Sequence, residues 1–171
     1  MGRTEVWLRN EKIENLDPIL QPAANALLEA KEELSIYLND FPESKLWTKP
    51  AGCASIGFHL KHISGFLDRL LTYADGKMLD ENQLDYLSKE EFIEDIQLDK
   101  LLSNTINSIE NTVEHYKSYP ISTFTESRYV GRNKIPTTTI GLLFHAAEHT
   151  MRHIGQILVT SKILKDKDLS I

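Results

Sequence analysis

Cysteine is nearly absent from this sequence: Cys53 is the only one in 171 residues. No intramolecular disulfide can form, which points to a reducing compartment. Long apolar runs are missing as well. No stretch approaches the roughly 18 uninterrupted apolar residues of a membrane-spanning helix, and the opening MGRTEVWLRNEK lacks the apolar segment of a signal peptide. The expectation is a cytoplasmic protein without membrane attachment. Positive charge is scarce too, with 19 Lys and Arg against 25 Asp and Glu and a net charge of −6. Duplex nucleic acid draws its non-specific binders through clustered cations, so it is not an expected partner. The nearest approach to a basic cluster, Arg128, Arg132 and Lys134, reads as a solvated loop. No internal repeat, heptad pattern or low-complexity segment is visible.

What remains is an ordinary globular composition, 41% apolar and 26% charged, long enough for one domain with a real core. One domain over residues 1–171 is expected, with residues 1–15 as an arm anchored by Val6, Trp7 and Leu8. Asp17 as N-cap and Pro18 at the first helical position open the first helix. Its apolar face is Ala23, Leu27, Leu28, Leu34 and Leu38, with Glu29, Lys31, Glu32 and Glu33 in water, and it ends near Asn39. Prolines and a glycine make residues 42–52 a loop. A second helix runs from about Cys53–Ser55 to Ala74, its core stripe formed by Ile56, Leu60, Ile63, Leu67, Leu70 and Ala74. Asp68 and Arg69 read as surface ion-pair formers. Residues 77–98 read as an acidic connector with a short helix around Glu81–Leu87. A third long helix spans about Leu98–Tyr119, with Leu102, Ile106, Ile109, Val113 and Tyr116 inward and His115 near its end, turned to terminal carbonyls or solvent. A weakly signalled hairpin around Gly131 precedes the last helix, for which Thr137–Thr139 supply cap candidates. Four long amphipathic helices argue for an all-α four-helix bundle.

The chemistry concentrates in histidine. The last helix, TTIGLLFHAAEHTMRHIGQILVTSKI, carries His145, His149 and His153 at steps of four. Each step turns the helix by about 400°, so the three lie one turn apart on a single face. Leu142, Gln156 and Thr160 continue that face, and Ile140, Leu143, Phe144, Ala147, Met151, Ile154 and Leu158 gather opposite. On the second helix His59 and His62 sit about 60° and 120° from the centre of the core stripe. Imidazoles brought together from two helices suit a divalent metal with open positions. Periodicity alone does not choose among the five. Cys53, near a helix start, reads as a small buried or capping residue rather than a nucleophile.

SIGFHLKHISGFLDRLLTYADG and GLLFHAAEHTMRHIGQIL resemble the two signature helices of the DinB-like superfamily, the DinB/YfiT-like metalloenzymes. RTEVWLRNEKIENLDPILQPAANALLEAKEEL resembles the first helix and its approach in one subgroup, so the likeness spans most of the chain. It implies an up-and-down four-helix bundle with a metal on three histidines, which fall on His62, His149 and His153. His59 and His145 become neighbours and runners-up as ligands. The metal expected from the resemblance is zinc or nickel, with iron or manganese as alternatives. The leading expectation is a thiol S-transferase, in which the metal activates a low-molecular-weight thiol co-substrate and presents it to a small electrophile. Tyr73, His145, Arg152 and Gln156 are candidates for orienting ligands.

The alternatives are a metal-dependent hydrolase using activated water, and a non-catalytic metal-binding stress-response protein. Hydrolysis would call for a base, and Glu148, the one carboxylate in this stretch, reads as solvent-facing. Partners are expected to be a small-molecule substrate and a second copy of the chain. The homodimer follows from a last helix that is apolar on one side and histidine-lined on the other.

Overall fold

The computed structural model describes residues 3–9 and 11–166. Four long helices build it: α1 (Gln21–Tyr37), α2 (Ile56–Ala74), α4 (Leu98–Tyr116) and α5 (Thr139–Lys165), with the short α3 (Glu81–Ser88) between the second and third. A two-stranded antiparallel hairpin, β1 (Ser127–Val130) and β2 (Ile135–Thr138), leads directly into α5. Among the described residues no helix is long and apolar enough to cross a membrane.

The packing order explains how the histidines meet. Helix α1 packs on α4 and α5, and α2 packs on the same two helices. Sequence neighbours α1 and α2 therefore stand diagonally across the bundle, as do α4 and α5. The long connections over residues 38–55 and 117–138 make those diagonal crossings possible. Their consequence is that α2 and α5, the two histidine helices, lie side by side. Leu27, Leu34, Ile56, Leu60, Ile63, Leu67, Ile109, Leu143, Ile154 and Ile157 fill the centre and are essentially inaccessible to solvent. Tyr116 is fully buried among them, and its hydroxyl donates to the Leu143 carbonyl at 2.6 Å, which joins α4 to α5 across the core.

Several expectations shift by a turn or a face. Asp17 does accept from the Ile19 N–H at 2.9 Å, but it closes an isolated turn, and α1 starts only at Gln21 with Pro22 in its first turn. In the arm, Val6 is buried while Trp7 and Leu8 are exposed. Glu29, expected in water, is buried because it accepts from the Val6 N–H and pairs with Arg3, fastening the arm to α1. On α4 the inward face includes Thr105 and Thr112, whereas Leu102 and Ile106 are only half-buried. An apolar count overlooks threonine, whose hydroxyl can satisfy itself on the preceding turn, as Thr112 does on the Ser108 carbonyl at 2.7 Å. Phe144, expected on the packing side of α5, is 64% exposed. Cys53 is exposed, two residues ahead of the true N-cap Ser55. His115 turns to Asp75, with Nε2 to Oδ1 at 3.0 Å, rather than to carbonyls.

Candidate metal centre

Local chemistry sets the two histidine helices in place. Ser55 caps α2 by accepting from the Phe58 N–H at 3.2 Å. Two residues further in, Gly57 lies so close to Trp47 that a Cβ would meet the ring at 2.6 Å, so the loop before α2 can pack only on a glycine. Thr138 ends β2 and caps α5, accepting from the Gly141 N–H at 3.2 Å.

Between these helices three imidazoles converge. Nε2 of His149 lies 3.1 Å from Nε2 of His62 and 3.0 Å from Nε2 of His153. All three ligand atoms fall within 4.8 Å of one another. A tetrahedral ion with metal–nitrogen bonds near 2.0–2.1 Å would separate its donors by roughly 3.3 Å, so the spacing fits a shared ion. The proton arrangement fits as well. The Glu90 carboxylate accepts from His62 Nδ1 at 2.7 Å, which leaves His62 Nε2 with a bare lone pair aimed at the centre. His153 Nδ1 rests 2.8 Å from His59 Nδ1, and if His153 donates there, its Nε2 is also bare. His149 Nδ1 is buried without a partner. A single proton on His149 Nε2 could serve only one of its two nitrogen neighbours, whereas a cation would satisfy all three.

Electrostatics favour the neutral form of His59, His149 and His153, the form in which an imidazole binds metal. Burial, reinforced by the nearby His62, pulls His59 down to about 4 and His149 to about 4. The same causes pull His153 to about 3. Phe58 stacks on His62 at 5.4 Å between ring centres, and Phe66 lies 4.1 Å from His149, so apolar walls exclude water on one side. A pH prediction follows for the metal-free protein. The unfolded chain takes up protons on these histidines near pH 6.5, while the folded chain resists until about pH 4 or lower. Stability therefore falls as pH drops through that window. Thermal melts at about pH 7 and about pH 5 should give the lower midpoint at the lower pH, and an equal or higher midpoint would contradict the depressed values.

Glu90 is a site residue that periodicity could not find. It is 4% exposed and belongs to the acidic connector, two residues past the end of α3 at Ser88. Two buried cations of α2 draw that connector inward. Arg69 donates to Glu90 at 2.6 Å, and Lys61 donates to the Lys89 carbonyl at 2.7 Å and to Glu94 at 2.6 Å. Tyr86 adds a bond to the Lys61 carbonyl at 3.0 Å. Gly65 permits this approach, since a Cβ there would meet the Tyr86 ring at 2.5 Å. Arg69, expected on the surface, is thus part of a buried chain Arg69–Glu90–His62. A buried Lys and Arg on one helix face demand acidic partners, and that is the signal the acidic connector carried.

The other candidates separate. His145 flanks His149 at 5.3 Å between ring centres and is bonded to Glu148 at 2.7 Å. Glu148 is half-buried rather than fully solvated and also accepts from Arg152 at 2.8 Å. His145, Glu148 and His149 form a second possible ligand group, but its carboxylate is already held by His145 and the exposed Arg152. The all-histidine group has the better supported donors. Gln156 is exposed. Tyr73 faces a different cavity, lined also by Arg128 and Lys134, about 16 Å along α2 from His62 at 1.5 Å per residue.

No family model and no curated protein matches this sequence. Among solved structures, YfiT from Bacillus subtilis, described as a probable metal-dependent hydrolase with an unusual four-helix bundle topology, aligns with a TM-score of 0.64. The alignment covers 89% of this chain and 91% of that one, at 15% identity. At that identity the likeness establishes architecture alone. The fold is a four-helix bundle like that of YfiT.

Proposed function

We propose that this protein is a divalent-metal-dependent enzyme that holds its ion on His62, His149 and His153 and joins a low-molecular-weight thiol, whole and through its sulfur, to a small electrophile, the thiol losing its proton and the electrophile its leaving group. The observation that supports it is the convergence of three imidazole Nε2 atoms from His62, His149 and His153 at one point between α2 and α5. A divalent ion held by three imidazoles with open positions lowers the pKa of a bound thiol or water. The chain's own residues supply the setting. Glu90 fixes the tautomer and the ring of His62, and His59 holds the ring of His153 through their Nδ1 contact. Phe58 and Phe66 keep one side of the site dry. Zinc or nickel suits an all-nitrogen donor set.

A second reading, hydrolysis, has one observation in its favour. The His145–Glu148 pair stands beside His149, where Glu148 can take a proton from an incoming water. YfiT's description as a probable hydrolase agrees with it. A panel assay of metal-loaded protein separates the two. Under the leading reading turnover requires an added thiol, and Glu148→Gln leaves most of it intact. Under the second, turnover proceeds without thiol and Glu148→Gln lowers it by about 100-fold or more, the usual weight of a general base. Turnover that survives His149→Ala unchanged would sink both.

A further inference from the structure

At the hairpin end of the bundle lies a cavity of about 470 Å³, walled by the end of α2, the turn after it and β1. Its described lining residues include three cations, Lys77, Arg128 and Lys134, and no carboxylate. That is unusual local charge in a chain of net charge −6. Arg128 is held in place by three acceptors. Its Nε donates to the Ala74 carbonyl at 2.6 Å, and its two terminal nitrogens donate to the Ser127 carbonyl at 3.0 Å and to Glu126 at 2.8 Å. Lys77 is exposed and reaches Asp75 at 3.1 Å, and that carboxylate is shared with Tyr119 and His115. The Lys134 ammonium has no hydrogen-bond or ion-pair partner among the described residues.

Tyr73 supplies a second and independent observation. Only 7% of the residue is accessible, and its hydroxyl, which is not among the fully enclosed polar atoms, makes no hydrogen bond within the described protein. A phenol hydroxyl that opens on a cavity is free to donate to a ligand rather than to the protein. Tyr73 lines the cavity, together with the apolar surfaces of Met78 and Tyr129. The volume falls within the roughly 300–1,000 Å³ typical of small-molecule sites.

We propose that this cavity binds a small organic oxyanion, a carboxylate or a phosphate monoester bearing a ring or short aliphatic part. Lys134 and Lys77 meet its charge, Tyr73 donates to one of its oxygens, and Met78 and Tyr129 cover its apolar part. Arg128 forms the rigid wall that orients the site. The site stands apart from the histidine centre, so its failure would leave the metal reading untouched.

Amide-detected NMR titration of the full chain tests this, with benzoate and phenyl phosphate as probes and benzyl alcohol as the uncharged control. Saturable shifts at Gly76, Ser127 and Lys134 are expected with at least one of the two anions, and which one responds tells carboxylate from phosphate. The double variant Lys77→Glu/Lys134→Glu should weaken that binding by about tenfold or more, the equivalent of about 1.4 kcal/mol. Tyr73→Phe should weaken it severalfold with the melting temperature unchanged, because the lost hydroxyl has no partner in the protein. Absence of saturable shifts with both anions would overturn the proposal. So would equal binding of benzyl alcohol, shifts confined to the surroundings of His149, or affinity unaltered by the double charge reversal.

Discussion

Replacing His149 with alanine should abolish stoichiometric metal binding while leaving the bundle folded. Its Nε2 is the one atom in contact with both other proposed donors, at 3.1 Å and 3.0 Å. Loss of a residue that merely orients a ligand typically costs about 10–100-fold in metal affinity, so loss of the shared ligand should cost at least about 100-fold. The fold should survive because His149 is half-buried and leaves behind no charged partner. His145→Ala provides the contrast. It lies on the same face one turn earlier, 44% exposed and engaged with Glu148, and its removal should change affinity little. Elemental analysis after dialysis, followed by competition with a chelator, measures both variants. Equal losses from the two substitutions would favour the His145, Glu148 and His149 group instead, and undiminished binding by His149→Ala would remove the proposed centre altogether.

Glu90→Ala should lower both stability and metal affinity, for separable reasons. Arg69 and Glu90 are paired with side chains 8% and 5% exposed, and deleting the acid leaves a buried guanidinium uncompensated. Such a deletion costs about 3–5 kcal/mol. For a chain of this length that corresponds to a fall of about 6–20 °C in melting temperature. The same substitution frees His62 Nδ1, so the ring can rotate and change tautomer, which should weaken metal binding by about 10–100-fold. Glu90→Gln keeps an acceptor for His62 and removes only the charge, and it should recover much of the metal affinity but less of the stability. If Glu90 served Arg69 alone, the melting temperature would fall and the affinity of the folded protein would not move. Calorimetric melts and metal titration on the same samples give both readings.

The two histidine helices were the most legible part of the sequence. The α2 stripe from Ile56 to Ala74 is buried throughout, because six regularly spaced aliphatic residues leave one orientation for the helix. Its start was also readable, since Ser55 is a good N-cap. The start of α1 was not, because Asp17-Pro18 makes an equally good isolated turn and the core picks up the helix only from Leu20 onward. On α4 the periodicity of aliphatic residues alone pointed to Leu102 and Ile106, when the buried positions also include Thr105 and Thr112. Within the site, spacing placed five histidines on two faces but could not rank them. The resemblance chose three of them, and the structure adds contacts that periodicity does not encode. Glu90 reaches His62 from a connector with no regular period, and Glu148 turns toward the site through His145 and Arg152. Tyr73 shares a helix with His62 and was expected near it, yet the two are three turns apart and serve different cavities. Face and distance along a helix are separate quantities, and sequence periodicity reports only the first.

The claim at the centre of this account is that one divalent ion sits among His62, His149 and His153. Crystals of the metal-loaded protein, measured on either side of the metal's absorption edge, test it most directly. The account predicts a single anomalous peak within about 2.0–2.2 Å of the Nε2 atoms of those three histidines, with the remaining coordination open to solvent. A peak bound by His145 and Glu148, or full metal loading with no peak between α2 and α5, would contradict it.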